Sequence, residues 1–578
     1  MYKIRKFIAL VLCFGLLLSG CGKRPVNGQI EPSNSTDETV VTTVIDTGDM
    51  FSKRDFETAY DAKKCEKIAL SGSSVEIKKE GTFILSGTLE DGQVIVNVDK
   101  KEKVQLILDG VQIHSNSSAA ILVQQADKVF ITTAKGTENT LSSGAIAENI
   151  DGAIYSKDDL TLNGEGSLTI VSAAGHGIVC KNDLVVTSGS YNITASGHGL
   201  SGKDSVRIGG GTFSVTAGKD GIQAENSDDE AQGFGYFSGG DMTITAEGDG
   251  ISVSGNLLIA GGEFHITAGG GSKNGTKASS GNYGGFPGGG FGGGRPGGDR
   301  PGGKGNTDTK TDENSTSMKG IKAGDLTIQG GSFTIDSADD AVYSNANITV
   351  SGGNFSIATG DDGFHAEENL TVTSGKIQIT ESYEGLEAHH ILVSGGEISL
   401  VSSDDGFNAA SGNDSSGMGG RDQMFGGPGG FGGMGRGDGS ITISGGTVYI
   451  QASGDGLDAN GTLEITGGHT ILCGPTQGDT AVLDYDVSGT ITGGTFIGTG
   501  SSMMAQSFSN SSQGVIALRV GSAAANTQIT LTDAKGNIVL SYTPALDYAV
   551  VILSSPEIIK GESYTITIGS QSGTFQAS

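Results

Sequence analysis

Tryptophan is absent from this chain of 578 residues, proline occurs 9 times, and 36 Lys and Arg face 65 Asp and Glu. Each shortage excludes something. The formal net charge of −29 argues against nucleic acid as a partner, because phosphates would be repelled. It favours cations, neutral surfaces, or acidic polymers bridged by cations. Cysteine is scarce as well, with 5 residues. Cys13 and Cys21 lie in the first segment, and Cys65, Cys180 and Cys473 are far apart in sequence, so no disulfide framework is expected.

What the chain has in excess is glycine, 99 residues, and order in its placement. On the acidic-glycine motifs, Gly177, Gly199, Gly221, Gly250, Gly320, Ala341, Gly363, Gly385, Gly406 and Gly456 fall in one column, 21 or 22 residues apart where nothing is inserted. Each unit holds three short alternating runs, as in "GIKAGDLTIQGGSFTIDSAD", where Ile321 and Ala323, Leu326 and Ile328, and Phe333 and Ile335 are the apolar positions. Such runs, separated by glycine and aspartate turns, are strands. The sequence therefore predicts an all-β chain: a parallel β-helix of about 22 residues per three-strand rung, rungs stacked ~4.8 Å apart. In it Cys180 and Cys473 are many rungs apart, and Cys180 is an inert core thiol.

The predicted organisation has five parts. Residues 1–20, with Lys3, Arg5 and Lys6 before "FIALVLCFGLLL" and "LSGC", read as a lipoprotein signal peptide, with Cys21 the lipidated residue. Residues 21–48 read as a flexible tether, and the protein as exported and held by lipid on the outer face of the bacterial cell membrane. Residues 49–505 form the β-helix. Its glycine-rich inserts, 269–317 and 411–439, are expected to be disordered loops. Residues 506–578 form a small β cap over the last rung. A monomer is expected.

The acidic residues then follow from stacking. "GDDGFHAEENL" at 360–370 has near copies at "ADDAVYSNANI", "SYEGLEAHHIL", "SDDGFNAASG" and "GDGLDANGTLEI". Equivalent positions of successive rungs become columns. Asp340, Asp362, Glu384, Asp405 and Asp455 precede the turn; Asp339, Asp361, Tyr383 and Asp404 come one earlier; Tyr343, His365, Glu387, Asn408 and Asp458 follow on the outward face, with Glu367 beyond. Residues 339–458 hold 17 Asp and Glu against 3 Lys and Arg. Like charges ~5 Å apart repel by several kcal/mol when desolvated. Calcium would remove the conflict, since it takes about six to eight oxygen ligands. Aspartate also favours such turns without any ion. The expected calcium ligands are Asp339, Asp340, Asp361, Asp362, Glu367, Glu384, Asp404, Asp405, Asp455 and Asp458. His365, His389 and His390 are nearby, but the oxygen donors around them suit a hard cation better. His176 and His198 read as turn residues.

The phrases "GTFILSGTLEDGQVIV", "VQLILDGVQI", "KGTENTLSSG" and "AIYSKDDLTLNGEGSLTI" together with the Asp-Gly turns resemble a bacterial family of carbohydrate-binding, right-handed β-helix proteins. That family is similar in structure to pectate lyases and is reported to bind cellulose and polygalacturonate. The resemblance covers roughly residues 60–575. It implies polysaccharide binding outside the cell with bound calcium. Without tryptophan, stacking on sugar rings falls to Tyr155, Tyr343, Tyr383 or phenylalanines, and Tyr343, Tyr383, His365 and Glu387 are the candidate carbohydrate contacts. Lyase chemistry would need an Arg or Lys base beside the calcium. Arg207 and the column of Lys157, Lys181 and Lys203 lie several rungs from the acids, so binding without catalysis is the expectation. A calcium-dependent lyase and a structural surface adhesin are the alternatives.

Overall fold

A computed structural model describes residues 47–144, 149–229, 231–277, 317–410, 437–475 and 480–578. The expected signal peptide, Cys21 and nearly all of the tether lie outside the described residues, as do 278–316 and 411–436 of the two inserts.

Most short strands pair in parallel with the strand three positions along. Ile222–Ala224, Phe234–Phe237 and Asp241–Ala246 pair with Ile251–Val253, Leu257–Ile259 and Glu263–Ala268, and those with Ile321–Ala323, Leu326–Ile328 and Ser332–Ser337. The chain is thus all-β, dominated by a long parallel sheet of stacked three-strand repeats. Register holds across the first insert, since Ile251 is opposite Ile321 although 70 positions precede it. Alternation of side chains with period two puts one set inside. Phe264, Phe333 and Phe355 stack there with ring centroids 4.8 and 4.5 Å apart. Cys180 and Cys473 are buried and, with Cys65, free; burial raises the pKa of the Cys180 thiol.

Two glycine columns serve two different needs. Gly331, Gly353, Gly375 and Gly396 turn with φ of 109°, 98°, 102° and 88°, backbone that a Cβ would strain. The column of Gly363, Gly385 and Gly406 is set by crowding: a Cβ on Gly385 would lie 2.4 Å from the Gly406 carbonyl oxygen and 2.5 Å from Leu400 Cδ2. Gly385→Val should therefore lower unfolding free energy by about 1–3 kcal/mol, measured by denaturant titration. An unchanged midpoint would show that the rungs yield freely there.

At the N-terminal side, residues 50–57 lie across three repeats. Asp55 pairs with Lys128 at 2.8 Å and accepts from Thr161, while its carbonyl accepts from Asn163 and Thr187. At the other end, parallel pairing runs on to Asn510–Ser511. Tyr548–Ser554 then pairs antiparallel with both Thr495–Gly500 and Val515–Ala523. A second antiparallel sheet of Ile538–Tyr542, Ile529–Thr532, Ser563–Ile568 and Gln571–Gln576 follows. Ile497, Leu531, Leu553 and Ile566 pack between them.

One expectation needs correction. Residues 269–277, the start of the first glycine-rich segment, are ordered: they form a turn containing the short 3-10 helix Ser272–Asn274 and lie over the acidic face.

Candidate functional site: a buried carboxylate column

The column before the turns is held by a ladder. Except at Lys319 and Glu384, each side chain accepts the backbone N–H of its counterpart one repeat later. His176 Nδ1 accepts from His198 at 2.8 Å, His198 Nδ1 from Asp220 at 3.1 Å, Asp220 from Asp249 at 2.9 Å and Asp249 from Lys319 at 2.8 Å. Asp340 Oδ1 accepts from Asp362 at 3.2 Å, Asp362 Oδ1 from Glu384 at 3.1 Å, and Asp405 Oδ1 from Asp455. This satisfies turn N–H groups that strand pairing leaves over, and it accounts for both histidines as turn residues, stacked at 4.7 Å.

At Asp340, Asp362 and Asp405 the ladder uses one carboxylate oxygen and leaves the other facing its neighbours. Asp362 Oδ2 and Glu387 Oε2 are buried and receive no hydrogen bond, an arrangement that costs about 1–3 kcal/mol or more for each such group. Both oxygens lie 3.4 Å from His365 Nδ1, and Asp340 Oδ2 lies 3.7 Å from it. Asp340, Asp362 and His365 each bring one donor atom within 4.8 Å of the others, and so do Asp362, Glu384 and Glu387; Asp339, Asp340 and Asp361; and Asp405, Asp455 and Asp458.

Registers confirm the columns: Tyr343, His365, Glu387, Asn408 and Asp458 are consecutive partners. Their exposure departs from the expected outward face. Asp340 and Asp362 are 1% exposed, Glu384 3%, His365 4%, Tyr383 5% and Glu387 8%. Of the four candidate sugar contacts, Tyr383, His365 and Glu387 thus present almost no surface, and Tyr343 is half-buried with its hydroxyl donated to Glu367 at 2.8 Å. Tyr155 is also buried, packed against Leu122 and Val179. Asp404, Asp405, Asp455 and Asp458 are half-buried.

Burial sets the protonation. It pushes Asp340 up to about 6, with Asp362 adding to the effect and Lys319 opposing it. Glu384 and Glu387 are held well above the usual carboxylate range by burial and by neighbouring carboxylates, and Asp405 likewise by burial, Asp458 and Glu384. Burial disfavours ionised Asp362 too, but His365 and Glu387 beside it outweigh that and hold it low. So crowded a set ionises together only when something positive enters.

Two lysines already stand there. Lys319 Nζ is 3.1 Å from Asp339 and 2.6 Å from Asp340, 4.3 Å from the Tyr343 ring centroid. Lys277 Nζ is 3.1 Å from Asp361 and 5.3 Å from the Tyr383 ring centroid. Neither was apparent as part of the site from sequence. Lys319 sits at a column position where the repeat has acids or His, and Lys277 lies in a segment without repeat. Asp484 was missed as well, although it is opposite Asp458. Its turn has Val482 in place of glycine, and "LDY" after "LDA" was the available signal. His389 and His390 stack on each other at 4.1 Å and bond Asp438 and Ser440, which leaves His365 as the one histidine in these donor groups among the described residues. A donor set of many carboxylates and one imidazole suits a hard divalent cation.

Arg207 is bound up in structure: 2.5 Å from Asp183 and donating to the Met50 carbonyl at 3.0 Å. Lys203 pairs with Asp228 at 2.5 Å.

Residues 71–363 match the model of a family described as carbohydrate-binding domain-containing protein. A carbohydrate-binding domain-containing protein of Acetivibrio thermocellus is 34% identical over 199 residues, 33% of this chain and 65% of that one. The chain thus spans 65% of that relative's length. A solved structure, the gadolinium derivative of a polysaccharide lyase-like protein from C. thermocellum, is 33% identical, with a TM-score of 0.35 over 36% of this chain and 91% of that chain.

Proposed function

Because the chain belongs to the carbohydrate-binding domain-containing family, we propose that it binds polysaccharide with calcium, held on the column from Asp339 to Asp458, bridging to carboxylates of an acidic glycan such as polygalacturonate. The observation that carries this reading is at Asp362, where one oxygen is fixed in the ladder and the other, like Glu387 Oε2 beside it, is buried without a hydrogen bond. An aspartate that served the turn alone would leave its second oxygen in solvent. Asp361, Asp362, Glu384 and Glu387 would hold the ion at one end of the column, Asp405, Asp455 and Asp458 at the other. In this reading the stack is a right-handed parallel β-helix, and residues 1–20 export it for lipidation at Cys21, the membrane being reached through the lipid alone.

Binding without cleavage is favoured over a lyase by the fate of the bases. Arg207 is consumed by Asp183 and Met50, and Lys203 by Asp228. Both belong to repeats that precede the acidic ones. The residues nearest the carboxylates that could take a proton, Lys277 and Lys319, are paired with Asp361 and with Asp339 and Asp340.

A pull-down on insoluble polygalacturonate and on cellulose, each with calcium or with chelator, tests the proposal. Retention on polygalacturonate should need calcium and fall at least about tenfold with chelator, a loss of 1.4 kcal/mol or more. Equal retention in both conditions would remove the column from the binding site. Unsaturated products absorbing in the ultraviolet during the same incubation would establish the lyase instead.

A further inference from the structure

Residues 269–277 cover the acidic face by an unusual route. After Ala268 ends its strand, Gly269, Gly270 and Gly271 turn the chain at φ of 60°, 78° and 90°, conformations that suit glycine. The Gly269 N–H donates to the Ala246 carbonyl at 2.9 Å. Ser272 N–H donates to Asp336 Oδ1 at 2.6 Å, and Asn274 Nδ2 donates to the Gly269 carbonyl at 2.8 Å. Gly275 rests on Gly360 so closely that a Cβ on Gly275 would lie 2.5 Å from Gly360 Cα. At the end of this segment Lys277 enters the site, its side chain 10% exposed and that of Asp361 9%. The Lys277 charge also acts on Asp362 and Glu384.

Lys319 offers the contrast. It stands in the repeat itself, with its N–H on Asp249 Oδ1 at 2.8 Å and its carbonyl taking the Gly250 N–H at 2.9 Å. Withdrawing Lys319 would break the stack. Withdrawing Lys277 would cost the stack no bond between strands, since residues 269–277 belong to no strand and their backbone meets that of a neighbouring strand at Gly269, whose N–H donates to the Ala246 carbonyl.

We propose that Lys277 is a tethered competitor for the cation position beside Asp361, Asp362 and Glu384, and that calcium binding there expels the ammonium together with residues 269–277. The proposal rests on the calcium reading above and adds regulation to it. A single ammonium offers one charge and three donors, whereas calcium brings two charges and accepts about six to eight oxygens. The ion therefore satisfies the Asp362 and Glu387 oxygens that Lys277 leaves without a hydrogen bond. An expelled Lys277 loses a buried ion pair but regains water, so the exchange is reversible by chelation. Tyr383, now beneath Lys277, would gain exposed surface when the segment leaves, which gives the glycan an aromatic face only when the bridging ion is present.

Two substitutions and one protease separate the outcomes. Lys277→Met removes the competing charge, and Gly275→Val pushes the segment off Gly360 while keeping the charge. Calorimetric titration of calcium chloride into the full chain should give about tenfold tighter binding for both variants than for the natural chain, as expected when a competing closed state is removed. In the natural chain, cleavage after Lys273 and Lys277 by a lysine-specific protease, mapped by mass spectrometry, should speed up several-fold when calcium is added. Calcium uptake by the natural chain with neither tighter binding in the variants nor faster cleavage overturns the expulsion and leaves the calcium reading standing. No uptake by any of the three chains overturns both. Tighter binding in Gly275→Val together with calcium-dependent cleavage supports the proposal even where Lys277→Met fails to fold.

Discussion

In chelator, the thermal midpoint of this protein rises as the buffer is taken from about pH 8 to about pH 5, and calcium reverses that slope. The sign follows from the column. Burial raises Asp340 to about 6, and holds Glu384, Glu387 and Asp405 well above the ordinary range. A carboxyl whose folded pKa exceeds its unfolded one binds its proton better when folded. Its contribution to stability is complete below the unfolded value and disappears as pH rises through the folded value. For Asp340 that window runs from 3.8 to about 6. Calcium acts in the opposite sense, because it needs the ionised carboxylates and competes with protons for them. At a hundredfold excess over its dissociation constant it stabilises by about 2.7 kcal/mol. Asp55, held low by Lys128 against its burial, Asp151, held low by His176, and Asp362, held low against its burial by His365 and Glu387, contribute fully above the ordinary value of 3.8 and lose that only at lower pH, so the difference between calcium and chelator from about pH 5 to about pH 8 is the quantity to read. Scanning calorimetry across pH in the two buffers measures it. Parallel curves would mean that the column binds no ion.

Neutralising the column should separate stability from binding. In the triple variant D362N, E384Q and D405N, each side chain keeps an oxygen where the natural one has its acceptor. Asp362 Oδ1 takes the Glu384 N–H, Asp405 Oδ1 takes the Asp455 N–H, and Glu384 Oε2 takes the Asn408 amide. The ladder therefore survives, while like charges that face one another without water are removed. Expected in chelator is a midpoint higher by roughly 5 °C, together with loss of calcium uptake and of calcium-dependent retention on polygalacturonate. Such a trade, stability given up for function, is what crowded like charges at a working site produce. A variant that still takes up calcium with natural affinity would refute the assignment of these ligands.

How far the sequence disclosed this site depended on whether the repeat carried it. Asp340, Asp362, Glu384, Asp405 and Asp455 could be set in one column by counting, because a repeat with side chains alternating at period two fixes both register and face. The parallel stacking was legible for the same reason. What lay over the column was not. Residues 269–277 have no period, and their docking depends on Gly275 meeting Gly360 and Lys277 meeting Asp361, contacts between segments about 85 positions apart in sequence. Those contacts, with Lys319 against Asp339, Asp340 and Tyr343, help to bury the expected outward face. Asp484 escaped because its repeat departs from the glycine turn, and the segment from Met50 to Glu57 because nothing periodic announces that Asp55 will reach Lys128.

The ladder that fixes the turns also bears on how the molecule comes apart. Each hydrogen bond from a side chain to the following backbone N–H couples one repeat to its neighbour and to no other, so the column behaves as a one-dimensional chain of nearest-neighbour links. Opening then starts where a link is missing, at the two ends and at Lys319 and Glu384, whose side chains accept no backbone N–H from the next repeat, and moves on one turn at a time. Amide hydrogens of Gly385 and Gly406, whose N–H groups are held by the Asp405 and Asp455 carbonyls, would exchange last in calcium and far earlier in chelator, because an ion held as proposed would tie several adjacent turns into one unit that opens together or not at all.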